Sequence, residues 1–304
     1  MSFLRAGASL RFWVYLCFLC FSTRELSQQF GNAASPGFFP VSFRLAFGAI
    51  SYGMAVTMNI KELFKVCSKC IESYPKGMIE LSPEEYPLEG KGFFPVVSGS
   101  FHSECLTEEI APRKFKLMFV GQDWGCKTSL DGLKASTDIA NYDISWGTGN
   151  NLKELLNDIP IPLEHCFFTN VIFGVREGES NTGKSPAWKD KDFLKKCENA
   201  LRKQIEIIKP KGIICLGRNA PRMLKNVIPE CEKWVGKKFR IIDGENGNGD
   251  SVLYPITHPT IKIAAILLHP SFRIQNLHHR KYKESEGEKV EIEILKYVWK
   301  IVSK

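Results

Sequence analysis

The chain has 304 residues, of which 44% are hydrophobic and 24% charged. That is the balance of an ordinary globular protein, long enough for one enzyme-sized domain plus an extension. Its ten cysteines are scattered through apolar and helical contexts. This excludes the disulfide framework of a small secreted scaffold and favours reduced thiols in an intracellular, cytoplasmic setting. A formal net charge of +8 raises the expectation of a polyanionic partner without establishing one.

The first 60 residues contain no lysine, and Glu25 is their one acid. Phe12–Phe21 is an apolar run too short to span a bilayer and about right for a signal-peptide core. The acid-poor, Arg- and Ser-containing character also suits a transit segment, and translation from Met54 or Met58 would make the stretch an over-extended reading frame. We therefore divide the chain into an extension, 1–57, and a domain, 58–304.

Ile60, Leu63, Phe64, Val66 and Cys67 repeat at helical spacing and predict a helix within Met58–Tyr74. Proline and glycine then punctuate a loop-rich stretch as far as Pro112. Beyond it, strands are predicted at Lys116–Val120, Cys166–Ile172, Gly212–Leu216, Val252–Ile256 and Ile261–Leu268. Helices are predicted near Asn151–Leu156, Lys191–Ile208 and Ala220–Val227, and ENGNGD (Glu245–Asp250) reads as a turn joining edge strands. This alternation predicts an α/β fold, a three-layer α/β/α sandwich with a mainly parallel central sheet.

Such folds keep their chemistry in the loops at strand ends. Here VGQDWG places Asp123 after the first strand, FFTNVIFG places Asn170 on the second, and LLHPSFR places His269 after the last. An acid, an amide and an imidazole on three strand ends make a site hypothesis. By residue type alone, Asp123 also fits a turn or helix cap, and Asn170 a strand-end loop contact. His269 has a competitor in His258 of THPT. LGRNA (Leu216–Ala220), after a strand, allows a small-molecule nucleotide enzyme, although a full glycine-rich fingerprint is missing.

Taken in order, GQDWG, FTNV, IIKPKGIICLG and HPS resemble the uracil-DNA glycosylase superfamily over roughly Lys116 to Asn276. The GQD resembles the first motif of the prototypical uracil enzymes. The glycine two residues later, TNV and the helix-then-strand run ENALRKQIEIIKPKGIICLG resemble the branch with an iron–sulfur cluster. The resemblance implies a monomeric DNA-repair glycosylase that acts on uracil, or a related deaminated base, flipped out of single- or double-stranded DNA. A catalytically weak or inactive nucleic-acid-binding member of the same fold is the alternative.

On that resemblance Asp123 orients the attacking water and offsets a cationic sugar, and His269 donates to the leaving base. Gly121, Gln122 and Asn170 meet the base. Trp146 stacks on it, with Tyr142 and Trp124 as alternatives. Ser271, Phe272 and Arg273 meet the duplex, while Arg273 and the cluster His278, His279, Arg280 and Lys281 touch phosphates. Two departures matter. Trp124 and Gly125 stand where the prototypical enzymes have Pro-Tyr, which leaves rejection of thymine open. Cys67, Cys70 and Cys197 match three cluster ligands, but Gly174 stands near the fourth position, so no cofactor and no metal is expected.

Overall fold

Four apolar runs, each buried on both faces, build the centre of the structure. They become strands because β-rich residues flanked by turn signals can bury both sides only inside a sheet covered twice. In the computed structural model, residues 58–82, 93, 114–135, 148–180 and 183–304 are described, and they belong to a compact unit running from Val56 to Lys304.

In chain order the elements are α1 (Ile60–Ser68), β1 (Met78–Ile79), β2 (Leu117–Gly121), α2 (Lys127–Ala135), α3 (Thr148–Asn157), β3 (Cys166–Asn170) and β4 (Val175–Arg176). There follow α4 (Lys191–Ile208), β5 (Gly212–Leu216), α5 (Pro221–Leu224), α6 (Phe239–Asp243), β6 (Val252–Leu253) and β7 (Ile263–Leu267). The chain closes with α7 (Arg273–Asn276), β8 (Lys281–Tyr282), β9 (Ser285–Glu286) and α8 (Glu288–Val302). The central sheet has the order β3-β2-β5-β7-β6. Its first four strands are parallel, and β6 closes the edge antiparallel to β7.

Alternate residues of each strand feed two separate cores, as the two-residue period of a strand requires. Met118, Val120, Phe167, Ile213, Cys215, Ala264 and Ile266 face α1, α4 and α5. Leu117, Phe119, Phe168, Ile214, Leu216, Ile263 and Leu267 face α3 and α8. The expected three-layer sandwich is thus observed.

Local signals set the helix ends. Asn59 and Glu62 form a capping box at α1, with the Asn59 side chain accepting from Glu62 N–H at 2.8 Å and Glu62 accepting from Asn59 N–H at 2.9 Å. Asp190 caps α4 by accepting from Phe193 N–H at 2.9 Å. The helix stops at Lys209, whose φ of 52° is left-handed, immediately before Pro210.

Some expected elements are shorter than their apolar runs. The Val252–Ile256 run pairs only over Val252–Leu253, because Pro255 has no N–H to give a ladder. ENGNGD follows a helix, α6, and leads into β6, so it does not join two edge strands. Residues 1–57, Tyr142 and Trp146 lie outside the described residues.

Candidate active site

Because β2, β3, β5 and β7 are parallel, their carboxyl ends share one edge of the sheet. In register across that edge, Gly121 pairs with Asn170 and Leu216 with Leu267. The segments that follow continue side by side. Val171 N–H donates to Gly121 C=O at 3.0 Å, Ile172 N–H to Gln122 C=O at 2.8 Å, and Arg176 N–H to Gly125 C=O at 2.9 Å. Residues 121–126 and 170–176 therefore form one wall, and His269, two residues past β7, stands on the same edge.

Gly121 has a steric role toward a neighbour. A Cβ built there would collide with Asn170 Oδ1, so glycine is what lets the amide lie across the end of β2. Asn170 itself is 5% exposed. At Gly125 the φ of +81° favours glycine, and the resulting turn aims Gly125 N–H at Asp123 Oδ1, 3.2 Å away.

Asp123 is held on three sides. Its Oδ2 accepts from Arg176 Nε at 2.8 Å and from Gln122 Nε2 at 3.1 Å, while Oδ1 takes Gly125 N–H. The Asp123 and Arg176 side chains are 5% and 6% exposed. Gln122 also donates to Gly183 C=O at 3.4 Å and accepts from Trp188 Nε1 at 3.4 Å. Its amide is thus engaged with Asp123 and with Gly183 and Trp188 of the 183–188 segment, although a base contact was expected of it. Arg176 and Trp188 were not among the sequence candidates. Arg176 lies in the TNVIFGVRE run, but nothing in the spacing announces its pairing with Asp123.

His269 Nδ1 accepts from Ser271 N–H at 3.3 Å, which leaves Nε2 to carry the proton of the neutral ring. Burial holds its pKa below the ordinary histidine value. Asp123 pulls it up and Arg176 pushes it down, so the imidazole senses both members of the ion pair. The Cβ of His269 packs 3.0 Å from where Gly217 would carry its own, giving the glycine of LGRNA a packing role beside the imidazole. His258 instead precedes β7, at the other end of the strand. Its Nδ1 accepts from Thr260 and Ile261 N–H, both at 3.3 Å, as a local cap.

Beyond His269, Phe272 is 45% and Ile274 73% exposed. Arg273 corrects an expectation. It is 6% exposed, and its Nε lies 2.9 Å from Glu291 Oε2. The guanidinium is therefore turned inward, away from any phosphate. Arg280 is likewise fully buried, paired with Asp243 at 2.9 Å and Glu291 at 3.2 Å. Trp124, an alternative stacking residue, packs in the core against Phe173 at 4.9 Å between ring centroids.

The three cysteines that resemble cluster ligands do not fit an iron–sulfur group. Cys67 donates to Ala200 C=O at 3.6 Å, and Cys197 accepts Phe173 N–H at 3.3 Å. Burial pushes the Cys67 thiol well up and Cys197 to about 12. At the fourth position, a Cβ on Gly174 would lie 3.0 Å from Tyr74 Cε1. The Tyr74 ring, packed 5.6 Å from Phe193, fills that space. Among the described residues no group of three or more His, Cys, Asp or Glu could hold a metal ion.

A parallel α/β sheet with a buried acid, an amide and an imidazole along its carboxyl edge is the candidate active site. Comparison with known proteins narrows the class: the uracil DNA glycosylase superfamily matches residues 108–290. That is more than half of the chain, and the protein belongs to this superfamily. Over 178 residues it is 26% identical to the type-4 uracil-DNA glycosylase of Archaeoglobus fulgidus, an alignment covering 54% of this chain and 73% of that protein. No helix among the described residues is long and apolar enough to cross a membrane.

Proposed function

We propose that the chain is a DNA glycosylase that hydrolyses the N-glycosidic bond of uracil, or a related deaminated base, extruded from DNA. The observation that carries this reading is the meeting of Asp123, Asn170 and His269 at one sheet edge, with the Asp123 charge acting on His269 and Asn170 lying against Gly121. Extruding a base costs a few kcal/mol, least from single strands or mismatches.

As the C1′–N1 bond breaks, its electron pair leaves with the base and positive charge builds on the sugar. Asp123, paired with Arg176, offsets that charge and orients the water whose oxygen bonds to C1′ as its proton is released to solvent. Neutral His269 donates from Nε2 to the base O2 as negative charge collects there, a contact strongest in the transition state. Asn170 accepts from uracil N3–H and donates to O4, while cytosine presents the reverse pattern and leaves the amide mismatched. Exposed Phe272 and Ile274 are suited to fill the gap in the stack.

The full chain is to be incubated with single- and double-stranded oligonucleotides carrying uracil, mismatched thymine, hypoxanthine or xanthine. Abasic product from the uracil substrate is expected. Binding without release of any base, unchanged by Asp123→Asn, would instead favour a nucleic-acid-binding protein without turnover.

A further inference from the structure

Resting on the glycosylase reading, we propose that Arg176 is a positioning residue for the reaction: it fixes the Asp123 carboxylate toward the sugar and cancels its charge toward the leaving base.

The placement begins with the backbone. Arg176 N–H bonds to Gly125 C=O at 2.9 Å, and Arg176 lies in bridge register with Cys126, which sets its side chain along the Asp123 loop. Nε then reaches Asp123 Oδ2 at 2.8 Å, while Nη2 donates to Gly183 C=O at 3.1 Å and Nη1 to Ser180 C=O at 3.5 Å. The planar fork is thus gripped from behind by two carbonyls and presents one edge to the carboxylate. A lysine ammonium would supply the charge without that geometry.

A carboxylate offers about four acceptor positions. On Asp123, Arg176 and Gln122 occupy Oδ2 and Gly125 N–H takes one position on Oδ1. One position on Oδ1 is left for the water. Without Arg176 the carboxylate would keep only the longer contacts from Gln122 and Gly125 N–H, and its uncancelled charge would oppose the anion forming on the base.

Among the described residues, the charged groups acting on His269 are these same two. Its other neighbours are neutral: the Ser271 N–H, the Phe272 ring at 6.0 Å, and the Pro270 carbonyl held by Asn151. Glu291, which takes the neighbouring Leu268 N–H, is itself matched by Arg273 and Arg280. Since Arg176 lowers the His269 pKa and Asp123 raises it, removing the guanidinium shifts protonation of the imidazole to higher pH.

The test is a double-mutant cycle on the full chain, read as single-turnover release of uracil from a single-stranded oligonucleotide across a range of pH. Arg176→Gln is expected to slow release roughly 10–100-fold, a loss smaller than that of a transition-state donor. Oligonucleotide affinity should stay within about threefold, and the acid limb of the profile should move to higher pH. Arg176→Lys should restore the limb but only part of the rate. In an Asp123→Asn background, Arg176→Gln should cost less than about threefold more, because residues acting through one another are not additive.

Additive losses, or an unmoved limb with an unchanged rate per bound complex, would overturn the assignment. Should Arg176→Gln not fold, as judged by circular dichroism, Arg176→Lys alone decides. A full rate from that variant refutes the need for the fork. Failure of the unsubstituted chain to release any base sinks the glycosylase reading itself, and this inference with it.

Discussion

Two buried ion-pair systems flank His269, and they are built to different ends. Behind the loop lies a neutral quartet of Asp243, Arg280, Glu291 and Arg273, joined at 2.9, 3.2 and 2.9 Å. Nearly every acceptor in it is used. Ser251 donates to Asp243 at 2.6 Å, Leu268 N–H to Glu291 at 2.6 Å, and Arg280 to Ile266 C=O at 3.3 Å over the Phe239 ring. In front of the loop lies a single pair, Asp123–Arg176, whose carboxylate takes its other hydrogen bonds from Gln122 and Gly125 N–H. Equal burial therefore does not mean equal role. A network of matched charges inside the fold holds shape, whereas a single buried pair at a strand end is where chemistry can occur.

Breaking the networked side should give the largest effect. Glu291→Ala takes the close carboxylate from buried Arg273 and one of two from Arg280, which keeps Asp243, and is expected to lose about 3–5 kcal/mol of stability, measured by urea unfolding. A loss under about 1 kcal/mol would contradict the quartet's structural role. On the single-pair side, Asp123→Asn should lower the rate of base release roughly 10²–10³-fold. Its denaturation midpoint should change far less than that of Glu291→Ala, since Arg176 retains its carbonyl partners. Comparable destabilisation in both variants would erase the contrast.

Gly121→Ala sharpens the comparison from the adjacent strand. Overpacking of this kind costs roughly 1–3 kcal/mol, and here the strain should fall on the Asn170 amide. Selectivity for uracil over cytosine should drop further than the overall rate does, measured on paired oligonucleotides. The smallest effect is expected at the cysteines. Purified protein should carry little iron by elemental analysis, and Cys197→Ser should leave the rate unchanged. A stoichiometric four-iron content would refute the packing account of Tyr74 and Gly174.

Much of the fold was readable because strands buried on both faces leave unbroken apolar runs such as LMFV and IAAIL. The strand-end positions of Asp123, Asn170 and His269 followed from those runs. What stayed hidden were pairings between distant residues. Arg176 lies 53 positions from Asp123, and Glu291 lies 18 from Arg273; no local pattern couples either pair. For the same reason Arg273 and Arg280 read as phosphate contacts. A basic residue in a polar stretch looks exposed until a carboxylate on another element draws it inward. Tyr74 shows the same limit, since a ring filling a space near Gly174 leaves no trace in the spacing of Cys67, Cys70 and Cys197.

Glu291 grips the loop after β7 at two points, through Leu268 N–H on one flank and the Arg273 guanidinium on the other. The imidazole between them is accordingly mounted like a peg in a bracket bolted to the last helix. In the proposed reaction, an extruded base would meet a fixed stop on this side, and the adjustment needed for a fit would fall to the nucleic acid strand.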